Sequence, residues 1–269
     1  HFRTAKHAGT WYLVDPEGRL FFSVGMDCVG MGGHTPIAPE REGWFRNPPW
    51  KADPALAQHV SHDKRAWRDY YKGRDVTTYS FYEANLQRKY GADYRETWIE
   101  LISERLMNWG FNTIGNWSRP YVFENTTLPY VHWIYLNAPK LPWQQGTRNR
   151  ISDPFDPAFE KEVRRRAKGM IGSTVDDPWC IGYFVDNELS WGDESHLAKG
   201  VAQADAGLKA KQKMARWLQE RYGEVGALND AWGTEHETWL DVILRTDLPE
   251  TDAGRDDLRL FNAKIVHAY

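Results

Sequence analysis

Residues 181–192 read IGYFVDNELSWG, an apolar run followed by three polar side chains and then an aromatic residue. The apolar part predicts a buried strand over residues 179–185, because a short and nearly continuous apolar run is typical of a strand covered on both faces. The strand delivers Asp186, Asn187 and Glu188 together to its carboxyl end. What that end does depends on the fold around it.

Strands and helices alternate along the rest of the chain. Further strands are predicted at residues 20–26, 111–117 and 130–136, the first of them preceded by a hairpin strand at 11–14. Helices are predicted over residues 79–90, 94–109 and 207–222, and two more begin near 156 and 256. Asp93 and Glu96 have capping-box spacing, and Asp156-Pro157 is a typical N-cap and first helical position. The inward face of that helix is predicted to carry Phe159, Val163, Ala167, Met170 and Ile171.

This alternation predicts an α/β fold with a parallel sheet. In both doubly wound and barrel versions of such a fold, the chemistry gathers at the carboxyl ends of the strands. Residues 32–75 are rich in Pro, Gly, Trp and charge without a sustained period, so we expect a long loop insertion after strand one, with one short helix near residues 55–60. The last helix has no stop signal before Tyr269, so we expect the chain to be truncated within it.

Composition and charge argue against several classes of protein. The formal net charge is -3 and the basic residues form no stripe, which argues against a nucleic-acid partner. No apolar run approaches the roughly 18 residues of a membrane span. No spacing of His, Cys, Asp and Glu resembles a zinc or calcium site, and there is no phosphate loop or Ser nucleophile elbow, so we expect no metal and no cofactor. Cys28 and Cys180 lie in apolar runs and are predicted to be buried free thiols.

Tryptophan is unusually frequent, with 14 residues in the chain. Its flat apolar face and single hydrogen-bond donor suit sugar rings as well as they suit a core. Core packing accounts for most of the 14. Five lie in polar stretches with Pro or Gly nearby and are candidates for a carbohydrate-stacking cleft: Trp44, Trp50, Trp117, Trp143 and Trp191.

Glu188 is the candidate catalytic residue. Cleavage of a glycosidic bond needs a carboxyl group that holds its proton near neutral pH, and apolar and aromatic walls favour that state. It also needs a second carboxylate, at roughly 5 to 5.5 Å for retention of configuration or roughly 6.5 to 9.5 Å for inversion. No other residue of the chain is an evident candidate for that second group. The alternative is that Asn187 and Glu188 only cap a helix and supply its acidic first turn.

Other polar residues follow the predicted strands. Asp186 is expected to support its neighbours by hydrogen bonding rather than to react. Asn116 and Trp117, at the end of strand two, either contact a sugar or form a turn and a core aromatic. Asp27 and His34, after strand one, either line the sugar site nearest the cut or are a loop Asx-turn and a solvated histidine.

Taken together, these motifs resemble a known family. The stretches that carry the resemblance are WYLVDPEG at 11–18, FFSVG at 21–25, WGFNTIGNWS at 109–118 and the Asn187-Glu188 pair. The pair looks like the acid/base motif of glycoside hydrolase clan A, and the chain over residues 9–269 is similar to the β-agarases of family 50. Residues 228–233 also resemble the family 42 β-galactosidases.

The resemblance implies a (β/α)8 TIM barrel, of which residues 1–269 are the amino-terminal half, with strands one to four and the helices that follow. The remaining strands and an accessory β domain are absent from this sequence. Glu188 would be the proton donor, Asn187 would bind the 2-hydroxyl of the sugar being cleaved, and a Glu on strand seven would be the nucleophile. Because that nucleophile is lacking here, we expect the chain to be inactive alone.

The implied function is that of a retaining glycoside hydrolase cleaving β-1,4-galactosidic bonds in agarose or its oligosaccharides, as an exo-β-agarase that releases neoagarobiose. Its partner would be a galactan polysaccharide or oligosaccharide, and this substrate class favours a secreted or periplasmic enzyme. Two alternatives remain open. One is a β-galactosidase acting on small galactosides, and the other is a carbohydrate-binding protein that keeps the cleft and lacks the nucleophile.

Overall fold

The computed structural model describes residues 1–63, 71, 74–142 and 149–269. The chain divides into two compact units. The first unit comprises residues 1–132 and 177–182, and the second comprises residues 133–176 and 183–269. Each is described separately below.

The described strands form three sheets. In chain order they are β1 (Arg3–His7), β2 (Thr10–Val14), β3 (Leu20–Phe21), β4 (Gly25–Met26), β5 (Thr35–Ala38), β6 (Val60–Asp63), β7 (Val76–Tyr79), β8 (Thr113–Ile114), β9 (Tyr130–Ile134) and β10 (Cys180–Val185). Strands β2 and β3 pair antiparallel, as the hairpin signals predict, and β1, which the sequence did not indicate, pairs antiparallel with β2. A second sheet has the order β10-β9-β8-β4, with parallel β4–β8 and β8–β9 pairs. The predicted parallel sheet is therefore confirmed for these pairs.

The described α-helices lie between and after these strands. In chain order they are α1 (Pro49–Ala52), α2 (Phe81–Tyr90), α3 (Tyr94–Asn108), α4 (Pro120–Phe123), α5 (Pro157–Met170), α6 (His196–Ala202), α7 (Lys209–Tyr222), α8 (Val225–Trp232), α9 (Trp239–Leu244) and α10 (Asp252–Ala268). Helix α2 begins after Ser80, whose hydroxyl accepts the Glu83 amide at 3.3 Å. Helix α3 lacks the predicted capping box, since Asp93 makes no side-chain cap bond there.

The predicted single strand over residues 20–26 is wrong, because the run splits into β3 and β4. Phe22 lies at the break and is 82% exposed. The Asn112 side-chain amide donates to the Phe22 carbonyl at 2.9 Å and accepts the Val24 amide at 2.8 Å. The Asn112 backbone amide also donates to the Val24 carbonyl at 2.9 Å, so side-chain and backbone bonds from Asn112 together join the chain across the break. Hydrophobic periodicity does not reveal these bonds.

The insertion after β4 is more regular than predicted. Strands β5 and β6 pair antiparallel with β7 in a sheet of order β5-β7-β6. The expected short helix near residues 55–60 is a 3₁₀ helix at Pro54–His59, which Asp53 caps by accepting the Ala55 amide. Strands this short carry a weak periodic signal, so they were missed. Residues 64–70 and 72–73 of the insertion lie outside the described residues.

Helix α5 begins as predicted, with the Asp156 carboxylate accepting the Ala158 amide at 2.8 Å. Its predicted inward face is only partly correct, because Phe159 is buried while Val163 is 38% exposed and Ile171 is 67% exposed. Glu162 is buried instead, since its carboxylate accepts the backbone amide of Asn137. Helix α5 therefore faces the second unit with a polar contact as well as an apolar one.

Each unit has its own apolar core. In the first unit, Trp98, Leu106, Ile114 and Val122 are among the buried residues of one cluster. In the second unit, the core consists largely of residues from α6, α7, α8 and α10, such as Val201, Leu218, Leu228 and Phe261. Within the described part of the chain, no helix combines the length and apolar character that a membrane crossing needs. Both cysteines are thiols rather than disulfide partners, but Cys28 is exposed and Cys180 is only partly buried, so the prediction that they are buried is wrong.

Candidate active site

Strand β10 ends in a backbone turn of unusual conformation. Asp186 has φ +54° and Glu188 has φ +47°, values that residues other than glycine rarely adopt. Left-handed residues of this kind cost on the order of 1 kcal/mol or more each and persist only when surrounding contacts hold them. The strand itself is not covered on both faces as predicted, because Phe184 and Val185 are each 52% exposed.

The Asp186 carboxylate is the main anchor of this turn. The backbone amide of Asp186 donates to the Ile134 carbonyl at 2.7 Å. One carboxylate oxygen accepts the Leu136 amide at 2.9 Å, and the other accepts the hydroxyl of Tyr269. Burial and the hydrogen bond to Asp186 raise the pKa of Tyr269, so its hydroxyl keeps its proton through the neutral range. The predicted supporting role of Asp186 fits these contacts.

A second anchor comes from Asn149. Its side-chain amide donates to the carbonyl of Asn187 at 3.0 Å and to that of Glu188 at 3.3 Å. Its backbone carbonyl accepts the amide of Ser190 at 3.0 Å. Asp186, at the start of the turn, is thus held by its own hydrogen-bond partners, and the residues after it are held by Asn149. The backbone of the turn is held while the Glu188 side chain stays exposed and Asn187 is partly exposed.

A cavity of about 480 Å³ lies beside this turn within the second unit. Its lining residues are Tyr135, Leu136, Lys140, Asn149, Arg150, Asp186, Asn187 and Leu189. Lys140 is bonded to the Leu136 carbonyl and to Ser152 Oγ, and Arg150 to the carbonyls of Leu141 and Lys140. The volume is in the range of known small-molecule sites, and the lining mixes polar donors with apolar surface as such sites do.

Trp191 follows the turn and is 36% exposed. Its ring meets the Tyr269 ring edge to face, with centroids 5.5 Å apart. On its other contacts, Tyr269 packs against Phe159 at 5.4 Å. Four of the predicted residues thus lie in this one segment of the chain: Asp186, Asn187, Glu188 and Trp191. The structure adds Tyr269 and Asn149 as partners of the segment.

Three predicted residues lie together at strand ends of the first unit. Asp27 Oδ1 accepts the Asn116 amide at 2.8 Å, and the Asn116 carbonyl accepts the Cys28 amide at 2.8 Å. Asn116 is only 4% exposed, and its own side chain accepts the Trp117 amide at 3.0 Å. Trp117 has φ +58° and is 37% exposed. These contacts give Asp27 and Asn116 turn-forming roles and leave the Trp117 ring accessible.

His34 does not join either group in the contacts that the structure gives it. Its Nδ1 pairs with the Thr78 hydroxyl at 3.4 Å, within the sheet of the insertion. Of the other aromatic candidates, Trp50 packs among Phe45, Tyr79 and Phe81, whereas Trp44 is 72% exposed. Trp143 lies outside the described residues.

Tyr269 and Asn149 had no signal in the sequence. Neither belongs to a motif, and the contact between Tyr269 and Asp186 joins residues 83 positions apart. Over residues 1–63, 71, 74–142 and 149–269, no group of three or more His, Cys, Asp or Glu side chains is arranged to hold a metal ion.

Comparison with known proteins bears directly on this site. The family model described as β-galactosidase, glycoside hydrolase family 42, matches residues 134–249. β-Agarase B of Vibrio sp. (strain JT0107) is 34% identical over 89% of this chain, and β-galactosidase BgaH of Haloferax lucentense is 30% identical over 35% of it. The crystal structure of an agarase, AgWH50C, superposes on the whole chain with a TM-score of 0.83 and 30% identity, covering 42% of that structure.

The chain is thus similar to the glycoside hydrolases of clan A. Within that clan, its likeness is to the family 50 β-agarases. The chain spans about a quarter of the length of the curated β-agarases that it matches, 28% of one and 26% of the other.

Proposed function

We propose that this chain supplies the acid/base part of a glycoside hydrolase active site, with Glu188 as the proton donor. The observation that carries the proposal is the turn at the end of β10. Asp186 and Glu188 are held in a left-handed conformation by hydrogen bonds to the turn, yet Glu188 is exposed, and its neighbours Asn187 and Leu189 line a cavity. A chain that only needed to end a strand would gain nothing from two strained residues, whereas a catalytic group gains a fixed direction.

The proposed reaction is hydrolysis with retention of configuration. Glu188 donates its proton to the glycosidic oxygen as the leaving sugar departs, and then accepts a proton from the attacking water. Asn187 binds the hydroxyl next to the reacting carbon. A second carboxylate roughly 5 to 5.5 Å from Glu188 acts as the nucleophile. The family resemblance assigns that carboxylate to strand seven of a (β/α)8 barrel, of which this chain is proposed to be the first half.

The proposed substrate is agarose or its oligosaccharides, cut at β-1,4-galactosidic bonds to release neoagarobiose. Support comes from two curated relatives named β-agarase and from the superposition on an agarase. A β-galactosidase is the second candidate, favoured by the family 42 match at residues 134–249. Turnover of neoagarotetraose compared with that of a nitrophenyl galactoside separates the two.

The test uses the protein expressed from its complete reading frame and the substitution Glu188→Gln. Removing the proton donor should lower turnover of agaro-oligosaccharides by about 100-fold to 10,000-fold. Turnover of an aryl glycoside with an activated leaving group should fall far less, because that group departs without protonation. Both rates are measured on the same preparation.

Glu194→Gln is the matched control. Glu194 lies six positions further along, is exposed, and pairs with Arg259 on the surface. We expect this variant to keep both activities. Equal losses on both substrates in Glu188→Gln would contradict the assignment of the proton donor, and sugar binding without any turnover in the unmodified protein would favour a carbohydrate-binding protein instead.

A further inference from the structure

We propose that Tyr269 is a positioning residue for Glu188, acting through the Asp186 carboxylate. The inference rests on the proposed function, because it concerns how that proton donor is held. Tyr269 directly follows helix α10, and its hydroxyl donates to Asp186 within the second unit. It thus connects a distant helix to the turn that carries Glu188.

The geometry fixes Asp186 from three directions. The Ile134 carbonyl, at the end of β9, accepts the Asp186 backbone amide. The Leu136 amide donates to one Asp186 carboxylate oxygen, and the Tyr269 hydroxyl donates to the other. Asp186 is also the first left-handed residue of the turn. Because such a conformation survives only under several simultaneous restraints, loss of one restraint should let the turn relax.

The Tyr269 ring is itself fixed by packing. It lies against Phe159 with centroids 5.4 Å apart and against Trp191 at 5.5 Å. Its backbone amide donates to the Ile265 carbonyl at 3.1 Å, which continues the bonding of α10. The hydroxyl therefore meets Asp186 from a rigid support rather than from a freely rotating side chain.

Relaxation of the turn should affect the reaction more than substrate binding. A displacement of about 1 Å at a reacting group can lower a rate by about 100-fold, because the proton must be delivered along one direction. The aromatic contacts of residue 269 do not depend on its hydroxyl. Removing that hydroxyl alone should therefore change the orientation of Glu188 while leaving the ring contact with Trp191 in place.

The experiment is Tyr269→Phe in the protein expressed from its complete reading frame. We expect kcat and kcat/KM for agaro-oligosaccharides to fall together by about 10-fold, with KM changed by less than about 2-fold. We expect a smaller loss on an activated aryl glycoside, because only the proton delivery is impaired. A purely structural role would lower the amount of folded protein and reduce both activities alike.

Tyr222→Phe is the matched control. The Tyr222 hydroxyl also donates to a buried aspartate in the second unit, Asp257, at 2.6 Å. We expect this variant to melt earlier and to keep the ratio of the two activities. A changed ratio of the two activities in Tyr222→Phe, or an unchanged ratio in Tyr269→Phe, would overturn the inference.

A double-mutant cycle with Asp186→Asn tests the route of the effect. If Tyr269 acts through Asp186, the double variant should lose no more kcat than the more impaired single variant. Fully multiplied losses would mean that Tyr269 acts by another path and would overturn the inference. If Glu188→Gln shows no substrate-selective loss, the proposed function fails. If it does and Tyr269→Phe does not, only the positioning role fails.

Discussion

The turns after β8 and after β10 use the same local chemistry for different ends. Each contains a non-glycine residue with positive φ, Trp117 in one and Asp186 in the other, and an aspartate joins each turn to the end of another strand. Asp27, after β4, accepts the Asn116 amide, and Asp186 accepts the amide of Leu136, after β9. After β8, the polar residue Asn116 is buried at 4% exposure, and its side chain accepts the Trp117 amide of the same turn. After β10, the Glu188 side chain is exposed.

The difference shows that a polar strand end is not yet a site. In the β8 turn, the Asn116 side chain is buried and accepts an amide of its own turn. In the β10 turn, Tyr269 and Asn149 bond to the turn from elsewhere in the second unit, and Glu188 is exposed. Exposure of an acidic side chain on a firmly bonded turn is what distinguishes the candidate active site.

The largest expected difference between the two turns comes from replacing their asparagines. Asn187→Ala should lower kcat/KM by about 100-fold or more with little change in melting temperature, because its side chain is proposed to bind the sugar hydroxyl in the transition state. Asn116→Ala should destabilise the fold by about 1–2 kcal/mol, because its side chain satisfies the Trp117 amide.

Kinetics and thermal melting of both variants check this pair. If Asn116→Ala is as stable as the unmodified protein but has a raised KM, then the β8 turn contacts substrate. The two turns would then not differ in the way described. The buried position of Asn116 makes a loss of stability the expected result.

The contact between helix α5 and the loop after β9 is expected to depend on pH. Hydrogen bonds from Arg165 and Arg166 lower the pKa of Glu162 to about 2, from an ordinary value of 4.5. The stabilisation from this depressed pKa is complete above about pH 4.5 and is lost as pH falls toward 2. Because Arg165 is 61% exposed, we expect about 1 kcal/mol rather than the full value of the shift.

The measurement is denaturant unfolding of Glu162→Gln from pH 7 to pH 3. The variant should be less stable at neutral pH, and its deficit should shrink on acidification. Glu160→Gln on the same helix is the control, since Glu160 forms an exposed pair with Arg164 and should contribute less than about 0.5 kcal/mol. A deficit that stays constant with pH would show that Glu162 acts by packing alone.

A similarly small loss of stability is expected at Asn149, which anchors the β10 turn. Asn149→Ala removes the side-chain donor to the Asn187 and Glu188 carbonyls and should destabilise the protein by about 1 kcal/mol. Turnover should fall with it, by about 3-fold to 10-fold, since the turn is loosened but Asp186 still holds it.

Asn125→Ala is its control, because that side chain also donates to a backbone carbonyl, that of Tyr121, but in the first unit. It should not alter the ratio of the two activities. An unchanged kcat in Asn149→Ala would mean that the Asp186 anchor holds the turn without help.

Local patterns in the sequence determined much of this protein. The strand before Asp186, the start of helix α5 at Asp156-Pro157 and helix α7 were all readable, because periodicity and capping act over a few neighbouring residues. The motif residues also sufficed to indicate clan A and its family 50 agarases. The same local patterns misjudged residues 20–26, where the run divides into two short strands and Asn112 bonds to the backbone between them.

The tertiary structure alone decided which polar residues are available and what supports them. Asn116 and Asn187 look alike in the sequence, since both follow an apolar run, and only packing buries one and leaves the other partly exposed. The contact of Tyr269 with Asp186 spans 83 positions and follows from how α10 packs in the second unit. Burial and long-range hydrogen bonds arise from the whole packed arrangement of a unit, so no short stretch of its sequence encodes them.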